Sequence, residues 1–158
     1  ETHLILSRGA RATIEYEMSR DPDQVAGLAD HVHDEKAVGD SIASGTFVTA
    51  GMVIAPCSIK TLSGIANSYN DNLIVRAADV CLKERRRLVL VVRETPLHAG
   101  HLRLMAQATE AGAVILPPVP AFYHRPKTIE DLVDHTVLKV LDQFGIHTDL
   151  IKRWEGLS

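Results

Sequence analysis

Cysteine is scarce in this sequence, which has only Cys57 and Cys81 among 158 residues. Two cysteines cannot build a disulfide framework, and neither belongs to a C-x-x-C pair. This usage is typical of a reducing compartment, so we expect a cytoplasmic protein. Cys57 could be a nucleophile, but it has no obvious histidine partner in sequence and ends an apolar run. A small core residue is the favoured interpretation.

Aromatic residues are also few, at 4% of the chain, whereas apolar residues make up 46%. The core is therefore expected to be aliphatic, as in parallel sheets that helices cover on both faces. No apolar run approaches the roughly 20 residues of a membrane span, and no signal peptide is visible. The formal net charge of −3 gives no reason to expect nucleic acid or an anionic membrane as a partner.

Apolar runs alternate with helical patterns along the chain, which indicates one α/β domain over residues 1–158 with a parallel sheet. Buried strands are predicted at 52–55, 88–92 and 113–116, after a first short strand at 3–6. Residues 20–40 are predicted to form a surface segment with one short helix. The other predicted helices cover 12–18, 58–66, 73 to the basic run 83–87, 97–111, and 128 to Gly145.

Polar residues follow each predicted strand. Because parallel strands all point the same way, these groups should meet at one edge of the sheet, where open α/β sheets bind ligands. They are Ser7, Ser58, Arg93, Glu94 and the loop 117–123. Their hydroxyls and cations suit a ligand that carries phosphate.

The stretch 51–64, GMVIAPCSIKTLSG, is the clearest candidate for an anion site. A strand feeds a helix there through small polar residues, which leaves amide groups and hydroxyls at the helix N-terminus. The stretch lacks the glycine spacing of a Walker loop or a G-x-G-x-x-G fingerprint, so alone it indicates only an anion cradle.

Charged residues elsewhere have competing interpretations. The basic run 83–87, KERRR, is more typical of a solvated helix end than of a phosphate patch, although Lys83 lies on the apolar side of its helix. Arg93 and Glu94 directly follow an apolar strand, where charges are costly unless they are used. That position favours a functional role as much as a structural one.

The histidines do not form a recognisable motif. His31 and His33 could contact a metal, but no third or fourth ligand appears at a familiar spacing, so surface residues are the favoured interpretation. His98 and His101 share one helical face and are interpreted as packing or surface residues.

Four segments together resemble the UbiX/Pad family of flavin prenyltransferases, long described as subunits of aromatic-acid decarboxylases. The resemblance runs from Ser7 to the end of the last helix, and its motifs are IASGTF, GMVIAPCSIKTLSGIA, DNLIVRAADVCLKERRRLVLVVRETPL and ILPPVPAFYHRP. It implies a flavodoxin-like, Rossmann-type doubly wound parallel sheet in three α/β/α layers. It also implies a dodecamer built from trimers, with FMN bound between subunits.

The activity that the resemblance implies needs no metal. Members join the dimethylallyl group of dimethylallyl phosphate to N5 and C6 of reduced FMN, and the prenylated FMN serves a separate UbiD-type decarboxylase. The implied FMN-binding residues are Ser7, Ser58, Ile59, Lys60, Thr61 and Arg93. The implied dimethylallyl phosphate site comprises Tyr123, Lys139, Lys83, Ser44 and Gly45. The implied catalytic residues are Lys83, Glu94, Tyr123, Arg76 and Glu17.

Two departures from the family pattern keep alternatives open. A first β-α unit of about 30 residues, with a glycine-rich turn for the FMN phosphate, has no counterpart here. Lys139 stands where many members have arginine, which keeps the charge but loses the bidentate fork. The alternatives are an FMN-dependent decarboxylase that acts directly on its substrate, and a noncatalytic flavin-binding subunit. The tail with Trp154 is expected to pack on a neighbouring subunit.

Overall fold

The computed structural model describes residues 1–151. Its strands are β1 (His3–Ile5), β2 (His31–His33), β3 (Gly51–Cys57), β4 (Arg87–Val92) and β5 (Val114–Ile115). Its helices are α1 (Arg8–Met18), α2 (Pro22–Ala26), α3 (Ile59–Ala66), α4 (Leu73–Lys83), α5 (Ala99–Glu110) and α6 (Ile129–Asp142), with a 3₁₀ turn at Ser41–Ala43. Trp154 lies outside the described residues, so its predicted packing stays a prediction.

All described strand pairs are parallel, and helices alternate with them, as predicted. β1 pairs with β2, and β3, β4 and β5 form a second group in that order. The architecture is the flavodoxin-like three-layer α/β/α fold. The two groups of strands are not joined into one continuous sheet, because within residues 1–151 no strand pairs with both β1 and β3.

The prediction for residues 20–40 was incomplete. The short helix exists as α2, but His31–His33 forms the strand β2. Its one apolar residue, Val32, is 49% exposed, so the segment lacks the hydrophobic pattern that identifies a strand in sequence. Only its pairing with β1 shows that it is a strand.

Local capping signals define the helix ends. Thr128 forms the predicted capping box with Asp131 at the start of α6, and Asn72 caps α4. His98 caps α5, so this helix begins at Ala99, two residues later than predicted. α6 ends at Asp142, before Gly145, which takes a φ of 68° just beyond it.

The core lies around β4, whose residues from Leu88 to Val92 are at most 6% exposed. They pack against α3, α4 and α5 through apolar residues that include Leu62, Ile65 and Ala108. The prediction that 52–55 is buried was wrong, because β3 is the edge of its three-stranded group and Val53 is 42% exposed. Across residues 1–151, none of the helices has the length and apolarity needed to cross a membrane.

Candidate active site

The start of α3 has the strand-to-helix turn that the sequence predicted for an anion cradle. Ser58 is the N-cap of this helix, and its Oγ accepts a hydrogen bond from the Thr61 amide at 3.2 Å. The Ser58 and Thr61 hydroxyl oxygens lie 3.1 Å apart. The amides of Ile59 and Lys60 belong to the first turn, where N–H groups have no acceptor within the helix. Hydroxyls and amides thus converge where the helix dipole favours negative charge.

Arg93 and Glu94 stand beside this cradle. β3 and β4 are in register at Cys57 and Val92, and the Arg93 amide donates to the Cys57 carbonyl at 3.3 Å. Ser58 directly follows Cys57, and Glu94 directly follows Arg93. The two residues therefore leave neighbouring strands at the same edge of the sheet. Glu94 accepts from the Thr95 amide at 3.1 Å, and both Arg93 and Glu94 are exposed.

Ser7 occupies the corresponding position after β1. It caps α1, and its Oγ accepts from the Ala10 amide at 3.0 Å. Glu35, which sequence reasoning missed, links the start of α1 to the start of α4. Its carboxylate accepts a hydrogen bond from the Arg8 amide at 2.9 Å, and its backbone carbonyl accepts one from the Leu73 amide at 2.8 Å. The start of α4 is therefore held at the same sheet edge as Ser7.

These groups fit the phosphate of FMN. The α3 start offers the hydroxyls of Ser58 and Thr61 and two first-turn amides, and Arg93 adds a permanent charge one strand away. Amides, hydroxyls and a guanidinium are the donors that bind phosphate at helix N-termini. Cys57, one residue earlier, is fully buried, and burial raises the pKa of its thiol to about 12. A core role is therefore confirmed for Cys57, since a buried protonated thiol is a poor nucleophile.

Tyr123 and Lys139 are brought together by a histidine that sequence reasoning missed. His135 is 7% exposed, and its Nε2 lies 2.9 Å from the Tyr123 hydroxyl. Lys139 follows one helical turn later on the same face of α6. Burial, with smaller contributions from His124 and Lys139, lowers the pKa of His135, which keeps this imidazole neutral at pH 7. The sequence signal that could have identified this cluster is a histidine four residues before Lys139, a spacing that places both residues on one helical face.

His124 stacks on His135 with ring centroids 5.0 Å apart. Both ring nitrogens of His124 are buried and, among residues 1–151, have no hydrogen-bond partner. Buried polar atoms are normally satisfied, so the two His124 nitrogens are an exception within this cluster.

Lys83, Ser44 and Gly45 form a separate cluster. Lys83 is the last residue of α4 and pairs with the Glu84 carboxylate, and a Cβ placed on Gly45 would lie 2.7 Å from Lys83 Nζ. Arg86 holds the loop there through the carbonyls of Gly45 and Phe47, each at 2.6 Å. This cluster lies before β4, at the opposite sheet edge from Arg93 and Glu94.

Arg76 and Glu17 occupy two further positions. Arg76 is in the first turns of α4, near the Glu35 link, and lies 3.4 Å from the Asp79 carboxylate. Glu17 is in the last turn of α1 and exposed, about 15 Å along the helix from Ser7. The chain therefore places Arg76 toward the strand carboxyl ends and Glu17 away from them.

Two open clefts flank α3. One has a volume of about 540 Å³ and lies between α3 and α5, with Lys60, His98 and His101 on its walls. The other, about 470 Å³, lies between the α3 start and the loop before α4, beside Thr61 and Asn72. Lys60 lines both clefts, together with Ile59 in the first and Thr61 in the second, so both clefts border the start of α3.

Comparisons with known proteins agree with this geometry. The chain matches the flavoprotein family over residues 2–141. It is 64% identical over 156 residues to the flavin prenyltransferase UbiX of Thauera aromatica, covering 99% of this chain and 80% of that protein. The crystal structure of AnUbiX (PadA1) in complex with FMN and dimethylallyl pyrophosphate matches with a TM-score of 0.97 at 52% identity, covering 100% of this chain and 84% of the other.

A further crystal structure, of a dodecameric FMN-dependent UbiX-like decarboxylase from Escherichia coli O157:H7, matches with a TM-score of 0.96 at 49% identity. The match covers 99% of this chain and 84% of the other. Identity at this level over nearly the whole chain, together with the four motifs, shows that the chain belongs to the flavoprotein family and, within it, to the UbiX/Pad family of flavin prenyltransferases.

Proposed function

We propose that this chain joins the dimethylallyl group of dimethylallyl phosphate to N5 and C6 of reduced FMN, without a metal ion. The observation that carries this proposal is the convergence of the α3 cradle with Arg93 and Glu94 at one sheet edge, in a chain 64% identical to a flavin prenyltransferase. Reduced FMN, when bound, supplies the two nucleophilic atoms. Ser7, Ser58, Ile59, Lys60, Thr61 and Arg93 are the residues proposed to hold it.

The proposed work of the cationic residues is to stabilise the leaving phosphate. Breaking the carbon–oxygen bond of dimethylallyl phosphate leaves the electron pair on a phosphate oxygen. Donors fixed in place before reaction stabilise that charge better than mobile ones. Tyr123 and Lys139 stand on a cluster anchored by the buried His135, and Lys83 is held by its pairing with Glu84.

Glu94 is proposed to orient these cations and to accept a proton while the second bond, the carbon–carbon bond to C6, forms. Its only side-chain hydrogen bond among the described residues comes from the adjacent Thr95 amide, which leaves acceptor positions on the carboxylate. Arg76 and Glu17 are proposed to contribute polar groups near the reacting centre. Ser44 and Gly45 are proposed to lie beside the prenyl chain.

The site is proposed to be shared between subunits. Lys83 and Gly45 lie at one sheet edge, and Arg93 and Glu94 lie at the other, so a single copy cannot bring them together. A neighbouring copy can supply the missing edge, as in an assembly of the kind described for the Escherichia coli O157:H7 relative, which is dodecameric. We therefore propose a homo-oligomer, with a dodecamer as the specific expectation.

Mass spectrometry tests the activity directly. The full-length protein is incubated anaerobically with reduced FMN and dimethylallyl phosphate, and the flavin is examined for a gain of one five-carbon unit. Lys83→Met should abolish the product while FMN binding survives. Lys36→Met, an exposed lysine outside the proposed site, is the matched control and should be active. No five-carbon adduct with FMN demonstrably bound would refute prenyl transfer and favour a noncatalytic flavin-binding subunit.

The destination of the product is proposed by the same family reasoning. Prenylated FMN would pass to a UbiD-type aromatic-acid decarboxylase in the cytoplasm, and residues 1–158 would act as one flavoprotein domain. If the chain were instead an FMN-dependent decarboxylase that acts directly on its substrate, carbon dioxide would form without any second protein. Measuring carbon dioxide release with and without an added UbiD-type decarboxylase distinguishes the two.

A further inference from the structure

Three histidines meet on one face of the β1–β2 pair. The parallel register places His3 beside His31, and the period of a strand puts His33 on the same face as His31. The ring centroid of His3 lies 4.6 Å from that of His31 and 5.2 Å from that of His33. Glu1 adds a carboxylate next to His3 and His31. One ligand atom from each of Glu1, His3 and His31 lies within 4.8 Å of the other two.

A chain of hydrogen bonds orients this cluster. The Asp40 carboxylate lies 2.8 Å from His33 Nδ1, so that nitrogen carries a proton and donates. In the neutral cluster, His33 Nε2 then accepts, and its partner at 2.9 Å is His3 Nδ1. The remaining nitrogen of His3, Nε2, consequently holds a free lone pair. A carboxylate and an imidazole that fix the tautomer of a ligating histidine are the usual outer partners of a metal site.

We propose that Glu1, His3 and His31 bind one transition-metal ion of the zinc class, with His33 and Asp40 as the outer partners that position His3. Two imidazoles and a carboxylate are ligands that zinc accepts, and the exposure of Glu1 and His31 leaves further positions to water.

This site is distinct from the proposed active site. His3 opens β1, whereas Ser7 follows its other end, four residues or about 13 Å along an extended chain. The ion would join two short strands that are far apart in sequence, and a two-stranded sheet is marginally stable by itself. A ligand that binds only the folded state stabilises that state. The expected effect is a zinc-dependent rise in thermal stability, with no direct part in prenyl transfer.

Zinc titration of the metal-free, full-length protein by calorimetry tests the proposal. We expect saturation at one zinc per chain and a raised unfolding temperature. His31→Val should weaken binding at least tenfold, while its β-branched side chain suits the strand. Asp40→Asn should weaken it by about 10- to 100-fold, because it loosens His33 and through it His3. His147→Gln is the matched control. His147 is an exposed histidine that follows α6 and lies near Asp142, the last residue of that helix, outside the proposed metal site.

Cobalt provides an independent readout. Co²⁺ bound by two imidazoles should give visible absorption bands that His31→Val removes and that His147→Gln keeps. Cys57 and Cys81 cannot be the source, because both are buried and burial raises the pKa of each thiol. Unaltered zinc affinity in a folded His31→Val protein, or no stoichiometric binding in the parent, would mean an adventitious ion only and would overturn the proposal.

Discussion

Two inactive variants should restore activity when they share an oligomer. Lys83→Met removes a proposed phosphate donor, and Glu94→Gln removes the proposed proton acceptor. Within one chain the two residues flank β4. From Arg87 to Arg93 there are six residue steps of about 3.3 Å, or about 20 Å, and a lysine side chain cannot span that distance. If both act on one substrate, they must come from different copies.

The size of the recovery follows from this geometry. Each variant alone should lose about 10²- to 10³-fold in turnover, the usual cost of removing one preorganised group. In a random equal mixture, each site takes its Lys83 edge from one copy and its Glu94 edge from another. Each edge carries the native residue in about half of the cases, so about one site in four receives both native residues. The mixed oligomer should therefore reach about a quarter of the parent rate.

Co-expression with two different affinity tags and tandem purification yields the mixed oligomer, and formation of the five-carbon flavin adduct gives the rate. A mixture of Lys83→Met with Lys83→Gln is the control, because no site in it can regain Lys83. Recovery should be absent there. If verified mixed oligomers of Lys83→Met and Glu94→Gln also stay inactive, the two residues do not act across an interface, and the proposed shared site is wrong.

Four further outcomes follow from named contacts. Gly45→Ala places a Cβ 2.7 Å from Lys83 Nζ, so turnover should fall by up to about 10²-fold with an unchanged circular dichroism spectrum, because flexible side-chain ends can move away. Leu90→Ala empties a fully buried position and should lower the free energy of unfolding by about 2–5 kcal/mol in urea titrations. Hydrogen bonds from the Lys127 and Thr128 amides lower the pKa of Asp131, so its stabilising effect is complete above about pH 4 and is lost as pH falls through the folded pKa. Asp131→Asn should therefore flatten the acid limb of stability measured by urea titration against pH. Because the thiol of Cys57 is buried with a pKa raised to about 12, it should react with a disulfide reagent at pH 8 only after denaturation.

The sequence predicted the elements whose signals are local. β4 is apolar on both faces, and it is the buried centre of the three-stranded group. The capping box of α6 was readable because its two residues lie three positions apart. The α3 start was readable for the same reason, since Ser58 and Thr61 are neighbours in both sequence and structure.

Features made by distant residues were not predictable in this way. β2 depends on its pairing with β1, and nothing in His31–His33 itself marks a strand. The same pairing brings His3 beside His31, a proximity that no local spacing in the sequence indicates. Likewise, Tyr123 and His135 meet only because the loop after β5 folds back on α6.

The distribution of the proposed catalytic residues is a consequence of the fold's connectivity. In a parallel sheet each connecting helix runs antiparallel to its strands, so residues at a helix C-terminus return to the edge where the next strand begins. Lys83 ends α4 and must lie at that edge, whereas Glu94 follows β4 and must lie at the other. No repacking of one copy can change this, because the strand between them is the most buried part of the core. A family motif that places both residues in one reaction therefore predicts an interface as well as a chemistry, and the separation of Lys83 from Glu94 is evidence for subunit sharing that can be obtained from a single chain.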